Sequence, residues 1–401
     1  MKIIYQNLKG YFSGEGFQKK NGRRLIQGDE SFVKGPLSIC VDSDSRKILE
    51  IAPTLEVTKN DTVIDATGFV ATAAFLDSHT HSLFGGSRWN EFFDRWAGKS
   101  YVEINAAGGG IKSTFASTES QSDDELMATL QERLNSFYKE GAEAVEIKTG
   151  YGKTAEEELR LLRILKKFEN KSSVKIYKTF LGLHAIPEGK SESEWTSEMI
   201  ALLDVVAKEK LADFVDSFPE KGFFSLEESL RFMKAAQSKG LGVRIHADEI
   251  TDMNAAVAGI ELGALSVDHL QKISAKALSL LEKSPTVATL LPATSFYLGL
   301  EYAPARKILQ TGARVALATD FNPGTAPSTS LKFTAKLAAS QMKMNPAEIL
   351  CGLTYNAAAA LGCDKSSGLI QKNYHSQILL WKCESKNYLE EILLSDILPQ
   401  R

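Results

Sequence analysis

At 401 residues, with 43% hydrophobic and 24% charged residues, the chain has an ordinary globular composition, which excludes disorder and fibrous repeats, and length for one large domain plus a smaller one or for two to three average domains. A formal net charge of −3 offers no basic field for a phosphate backbone, so no nucleic-acid partner is expected. The opening "MKIIYQNLKGYF" has no apolar segment of signal-peptide length, and no run elsewhere is long enough to span a membrane; a cytoplasmic location is expected.

In chain order, residues 1 to 65 hold short strands such as "LSICVDSDSRKILEIAP" and "DTVIDATGF", broken by Gly, Asp and Pro. From about residue 70 to 340, β-branched apolar runs alternate with stretches of helical period, the pattern of a parallel sheet. The expected strands are "FVATAAFLD", "AEAVEIKTG", "VKIYKTFLG", "ADFVDSF", "LGVRIHAD", "ALSVDHL", "TVATLLPA" and "RVALATD". Between them lie helices such as "SDDELMATLQERLNSFYKEG", capped by Ser122 and closed by Gly141, and "TAEEELRLLRILKKFEN", capped by Thr154.

Eight such units match a closed α/β barrel of the (β/α)₈ type better than an open doubly wound sheet. The tail carries "HSQILLWKC" after the turn "SSGLI", so both termini are expected to combine in a small β-sandwich, residues 1–65 with 345–401, beside a barrel of 66–344. Cys40, Cys351, Cys363 and Cys383 form no C-x-x-C pair, which points to reduced thiols rather than a thiolate metal site.

Five of the six histidines fall at the carboxyl ends of expected strands, where barrels of this type place their chemistry: His79 and His81, His184, His246 and His269. A single histidine is more often a satisfied core residue, but five at one mouth are hard to reconcile with that. In an extended segment residues i and i+2 project to one side, so His79 and His81 can reach one ion. His246 and Asp320 are the natural additions, a donor set suited to zinc or iron. Such a set leaves room for a water whose pKa falls to about 7 on zinc, which implies hydrolysis. The fourth strand has no lysine to carbamylate as a bridge, so one metal ion, divalent or trivalent, is expected.

"DSHTH" followed by "FGGSR", "AAGGGI", "EIKTGYG", "TFLGLHAIP", "RIHADEI", "VDHL", "LLPATSF" and "LATDFNPGT" resembles, in order and spacing, the imidazolonepropionases of the amidohydrolase superfamily, over most of the chain. The H-x-H with later His, His and Asp marks only the superfamily; the other motifs together mark the family. The resemblance implies hydrolytic ring opening of 4-imidazolone-5-propanoate to N-formimidoyl-L-glutamate in histidine degradation, by a homodimer. By position, it implies that His79, His81, His246 and Asp320 hold zinc or iron and Arg88 faces the substrate carboxylate. Tyr151, His184 and Glu249 would contact the imidazolone, and Asn322, Gly324 and Thr325 would complete the pocket.

A planar guanidinium suits a carboxylate, Glu249 can reach a ring N–H or the attacking water, and His269 is left for proton transfer or oxyanion stabilisation, with Asp320 able to accept a proton from water. The ordinary alternatives are a surface role for Arg88, a turn-filling Tyr151 and a helix-capping Glu249. Tyr101, just before the "AAGGGI" loop, is placed to touch substrate. Competing functions are another deaminase or cyclic-amide hydrolase of the superfamily, which would not need "FGGSR" and "DFNPG" together, and a non-catalytic scaffold, which would have lost metal ligands.

Overall fold

The computed structural model describes residues 1–23, 31–99, 103–104, 107–169 and 171–401; Tyr101 lies outside them. β1 (Lys2–Phe12) pairs antiparallel with β2 (Phe32–Asp42), Lys2 opposite Asp42 and Phe12 opposite Phe32. β2 in turn pairs with β3 (Ile48–Ala52). Asn7, at φ 61, and register shifts on either side of Leu8 interrupt the β1 ladder midway, as a bulge does. The first half of β1 takes β4 (Thr62–Asp65) as its parallel neighbour and the second half takes β5 (Phe69–Ala73).

At Ala74 the chain leaves this sheet for a second one. The N–H of Ala74 donates to Gln377 and that of Phe75 to Gly141, both at 2.9 Å. "FVATAAFLD", expected as one strand, is therefore two, and only β6 (Phe75–Asp77) belongs to the barrel. There follow β7 (Ala142–Lys148), β8 (Lys175–Leu183), β9 (Phe214–Ser217), β10 (Gly242–Ala247), β11 (Ser266–His269), β12 (Val287–Leu290) and β13 (Val315–Leu317). These eight strands are parallel and neighbour one another in chain order. β13 meets β6 through the residues just past their ends: Thr80 bridges Phe321, and the Thr319 hydroxyl donates to Asp77 at 2.6 Å.

β14 (Ile378–Lys382) returns antiparallel to β5, Ile378 opposite Ala73 and Lys382 opposite Phe69, so a six-stranded sheet draws on both ends of the chain. It encloses a core of its own around Leu8, Ile39, Ile48, Ala71 and Ile378. The segment after 345 contributes β14 to this sheet, but it begins with helices Pro346–Leu353 and Tyr355–Ala360, and Ala357, Ala358 and Leu361 pack against Leu76, Ala144 and Phe214 of the barrel.

The helices obey their local signals. Ser122 and Glu125 form a reciprocal cap on Asp123–Lys139, whose Leu126, Leu130, Leu134 and Phe137 recur every three or four residues and are all buried. Each such side chain contributes about 1.5–3 kcal/mol by leaving water. Thr154 caps Ala155–Phe168 one way only, its hydroxyl accepting from the Glu157 N–H. The four cysteines are free thiols, Cys363 alone being partly exposed.

Candidate metal centre and active site

The path from β6 decides how the first two histidines point. Thr80, between them, turns away from the axis: its N–H donates to the Glu146 carboxylate at 3.1 Å and its hydroxyl to the Glu146 carbonyl at 2.7 Å. His79 and His81 therefore face inward together, with ring centroids 5.4 Å apart. His246, at the end of β10, comes within 4.7 Å of His79, and His269, at the end of β11, within 5.1 Å of His246. Asp320, past β13, places Oδ1 3.5 Å from His79 Nε2 and 3.4 Å from His81 Nε2.

Nitrogen and oxygen donors of His79, His81 and His246 lie within 4.8 Å of one another, as do those of His79, His269 and Asp320. The arrangement fits a cation on its own chemistry. His79 Nδ1 donates to Asp268 at 2.7 Å, which leaves Nε2 as a lone pair aimed at Asp320 Oδ1, and neither atom has a hydrogen-bond partner. Buried acceptors are not normally left facing one another; a shared positive ion satisfies them. Burial lowers the pKa of His81 and that of His246, the latter to about 4, and takes His184 and His269 well below their ordinary range, so these rings are neutral as ligands require. His79 alone is pushed up, to about 9: burial and the Lys148 ammonium oppose its charge, but the carboxylates of Asp268 and Asp320 prevail, so a positive charge between His79 Nε2 and Asp320 is favoured, whether a proton or a metal ion.

Backbone strain marks the same place. His269 has φ 79 and Asp320 φ 55, left-handed values that cost a branched or ring-bearing residue about 1–3 kcal/mol each. Glu249 is buried, its Oε2 3.7 Å from His269 Nε2, and burial, with Asp320 and Glu220 nearby, pushes its pKa up to about 8, so it holds a proton at neutral pH. His184 donates from Nδ1 to the Gly150 carbonyl at 3.0 Å, stacks on His81 at 5.0 Å and turns Nε2 out as an acceptor. One cavity takes in His81, His184, His246, Glu249, His269, Asp320, Asn322 and Thr325.

The amidohydrolase family matches residues 70–397 of this chain. An imidazolonepropionase of Porphyromonas gingivalis is 37% identical over 97% of this chain and 93% of that protein. One of Rubrobacter xylanophilus is 36% identical over 96% and 94%, and one of Thermoanaerobacter pseudethanolicus 41% identical over 81% and 79%. The chain belongs to the imidazolonepropionases of the amidohydrolase family. Solved structures share the fold at low identity: an adenosine deaminase of Xanthomonas campestris with bound zinc at TM-score 0.68, 12% identity and coverage of 98% and 88%, and a Xaa-Pro dipeptidase with methionine in its active site at 0.68, 14%, and 99% and 98%.

Of the remaining expected residues of this amidohydrolase, Asn322 and Thr325 line the cavity, whereas Arg88, Tyr151 and Gly324 stand outside its lining. Tyr151 is buried between Phe84, at 6.3 Å, and His184, at 5.3 Å. Arg88 is buried and bidentate to Glu91, its Nε and Nη2 each 2.8 Å from a carboxylate oxygen. Gly324 lies flat against that guanidinium; a Cβ there would be 2.2 Å from Arg88 Cζ. Asn322 shapes its own turn, donating to the Asp320 carbonyl and the Thr325 hydroxyl at 2.7 Å while its Oδ1 accepts from the Gly324 and Thr325 N–H groups.

Sequence reasoning missed the charged layer beneath the imidazoles. Lys148 joins Glu146 at 2.7 Å and Asp216 at 2.9 Å, Asp216 meets His246 Nδ1 at 3.1 Å, and Arg244 meets Asp268 at 3.1 Å, all of them buried. The signal was present: Glu146 and Lys148, and Arg244 and His246, are i, i+2 pairs on strands that should be apolar, so each pair shares the inward face. Glu158 is a second omission. Its carboxylate accepts from the Gly150 and Gly152 N–H groups at 3.0 and 2.6 Å and so holds the turn that presents Tyr151. Among the described residues, no helix is long and apolar enough to cross a membrane.

Proposed function

We propose that the protein hydrolyses 4-imidazolone-5-propanoate to N-formimidoyl-L-glutamate, a step of histidine degradation, with a single zinc or iron ion per subunit held by His79, His81, His246 and Asp320, and that it works in the cytoplasm as a homodimer. The observation that carries this is the near-full-length likeness to imidazolonepropionases, 37% identity over 97% of the chain, with the gathered imidazoles in agreement.

When bound, the ion activates a water and polarises the ring carbonyl. Asp320, its Oδ2 oriented by the Thr294 hydroxyl and its Oδ1 turned toward the Nε2 atoms of His79 and His81, is the carboxylate beside which the water would lie and which would take its proton. As water adds to the carbonyl carbon, His269 stands beside the oxygen that becomes anionic, and the ring C–N bond breaks with its electron pair on nitrogen. Glu249, protonated at neutral pH, supplies the proton that nitrogen takes. His184 Nε2, bare of a proton, accepts a ring N–H, and Tyr151 packs beside it. Arg88 receives the propanoate, with Asn322, Gly324 and Thr325 shaping the wall beside it.

The test is the loss of imidazolone absorbance with purified protein, before and after chelation. Turnover that disappears with chelator and returns with zinc or iron is expected. Greater activity on hydantoins, dihydropyrimidines or amino-purines than on the imidazolone would refute the substrate assignment, and chelator-insensitive turnover would refute the metal.

A further inference from the structure

We infer that Glu91 is the positioning residue for recognition of the substrate's side chain: its carboxylate sets the plane of the Arg88 guanidinium and ties it to the helix that walls the cavity. The inference rests on the substrate reading above.

Arg88 follows the "FGGS" turn, and its long side chain would sample many rotamers if nothing held it. Glu91, on the first turn of helix Asn90–Trp96, takes Nε and Nη2 in a fork of two 2.8 Å bonds. Arg88 and Glu91 are 4% and 3% exposed, which separates them from a surface i, i+3 pair of little consequence. From another side Gly324 closes on the guanidinium so tightly that a methyl group could not be added. The guanidinium is thus held by an acid along one edge and by backbone against its atoms.

The same carboxylate reaches further. Its Oε1 accepts from the Gly110 N–H at 2.8 Å, and its Oε2 from Arg95 Nη2 at 3.3 Å. Gly110, at φ 72, leads into helix Ile111–Glu119, and Ile111 lines the cavity with His81 and Asp320. One acid therefore sets the distance between the carboxylate-binding group and the wall against which the ring would lie. Burial opposes its charge, but Arg88 and the Gly110 N–H keep it ionised. A glutamine has the same shape yet must turn an NH₂ toward one of these donors, which breaks the fork while filling the space.

The test compares metal-loaded wild type, Glu91→Gln, Arg88→Met and the double variant on 4-imidazolone-5-propanoate and on its neutral propanamide. Glu91→Gln should raise KM for the propanoate on the order of 10- to 100-fold with kcat changed less than about threefold. It should add less than about twofold on top of Arg88→Met, because its effect passes through that guanidinium. Its kcat/KM on the propanamide should stay within about threefold of wild type, which also shows that the variant is folded. An unmoved KM, an equal loss on both substrates, or full additivity with Arg88→Met overturns the inference alone. A wild type inert toward the propanoate overturns the substrate reading and this inference with it.

Discussion

Asp268→Asn tests how far the metal centre depends on residues that never touch the ion. The Asp268 carboxylate accepts from His79 Nδ1 at 2.7 Å and from Arg244 Nη2 at 3.1 Å, with all three side chains fully buried. The first contact fixes the tautomer that would present Nε2 to the proposed ion and makes the imidazole a stronger donor. An asparagine oxygen can keep both hydrogen bonds in place, so what disappears is the charge. Loss of such a partner weakens metal binding by about 10- to 100-fold, or about 1.4–2.7 kcal/mol. Arg244 also donates to the carbonyls of Ser78 at 2.6 Å and Ala360 at 3.0 Å, so it stays anchored and the barrel should still form. Zinc competition against a fluorescent chelator, with circular dichroism to confirm the fold, measures the effect. A dissociation constant within about threefold of wild type in a folded variant would show that His79 does not depend on Asp268 and would refute the reasoning.

Three further outcomes are expected. Gly324→Ala pushes a methyl group into the Arg88 guanidinium and, by displacing it about 1 Å, should cost on the order of 100-fold in kcat/KM; a steady-state assay with wild-type activity would place the guanidinium elsewhere during turnover. Lys148→Met leaves Glu146 and Asp216 buried without their shared cation and should cost about 3–5 kcal/mol, read as a lower urea midpoint; an unchanged midpoint would show that the pair protonates or is hydrated at little expense. Glu158, 1% exposed, is pushed up by burial to about 7 from an ordinary 4.5. The folded state then keeps a proton that the unfolded chain releases, so its contribution is complete below about pH 4.5 and is lost as pH rises through about 7. Melting temperature should fall across that window more steeply in wild type than in Glu158→Gln, and parallel curves would contradict the assignment.

Local order was legible along the chain because its causes are local. Alternation of apolar runs and helical periods announced the barrel strands in sequence order, and Ser122 and Thr154 cap the helices their spacing predicts. The His-x-His spacing sufficed to aim His79 and His81 the same way, because alternate residues of an extended chain share a face. What the chain could not show by itself was which distant groups meet. The run through Ala74 reads as one strand, yet its hydrogen-bond partner changes from Gln377 to Gly141 at that residue, and nothing local marks the change. Arg88 and Glu91 are only three residues apart, but only the fold shows that the pair is buried together against Gly324 and Gly110.

The charged layer under the imidazoles is the clearest case. Glu146, Lys148, Asp216, Arg244 and Asp268 come from four different strands, and each would be costly to bury alone. Closing the barrel puts opposite charges within 2.7–3.1 Å of one another and of His79 and His246, and the low dielectric that makes each one expensive singly makes the set cohesive. The sequence by itself determined the order of the elements and the residue types that can ligate a metal; the tertiary structure decided which buried groups pair, because pairing energy depends on distances through space that no spacing along the chain encodes.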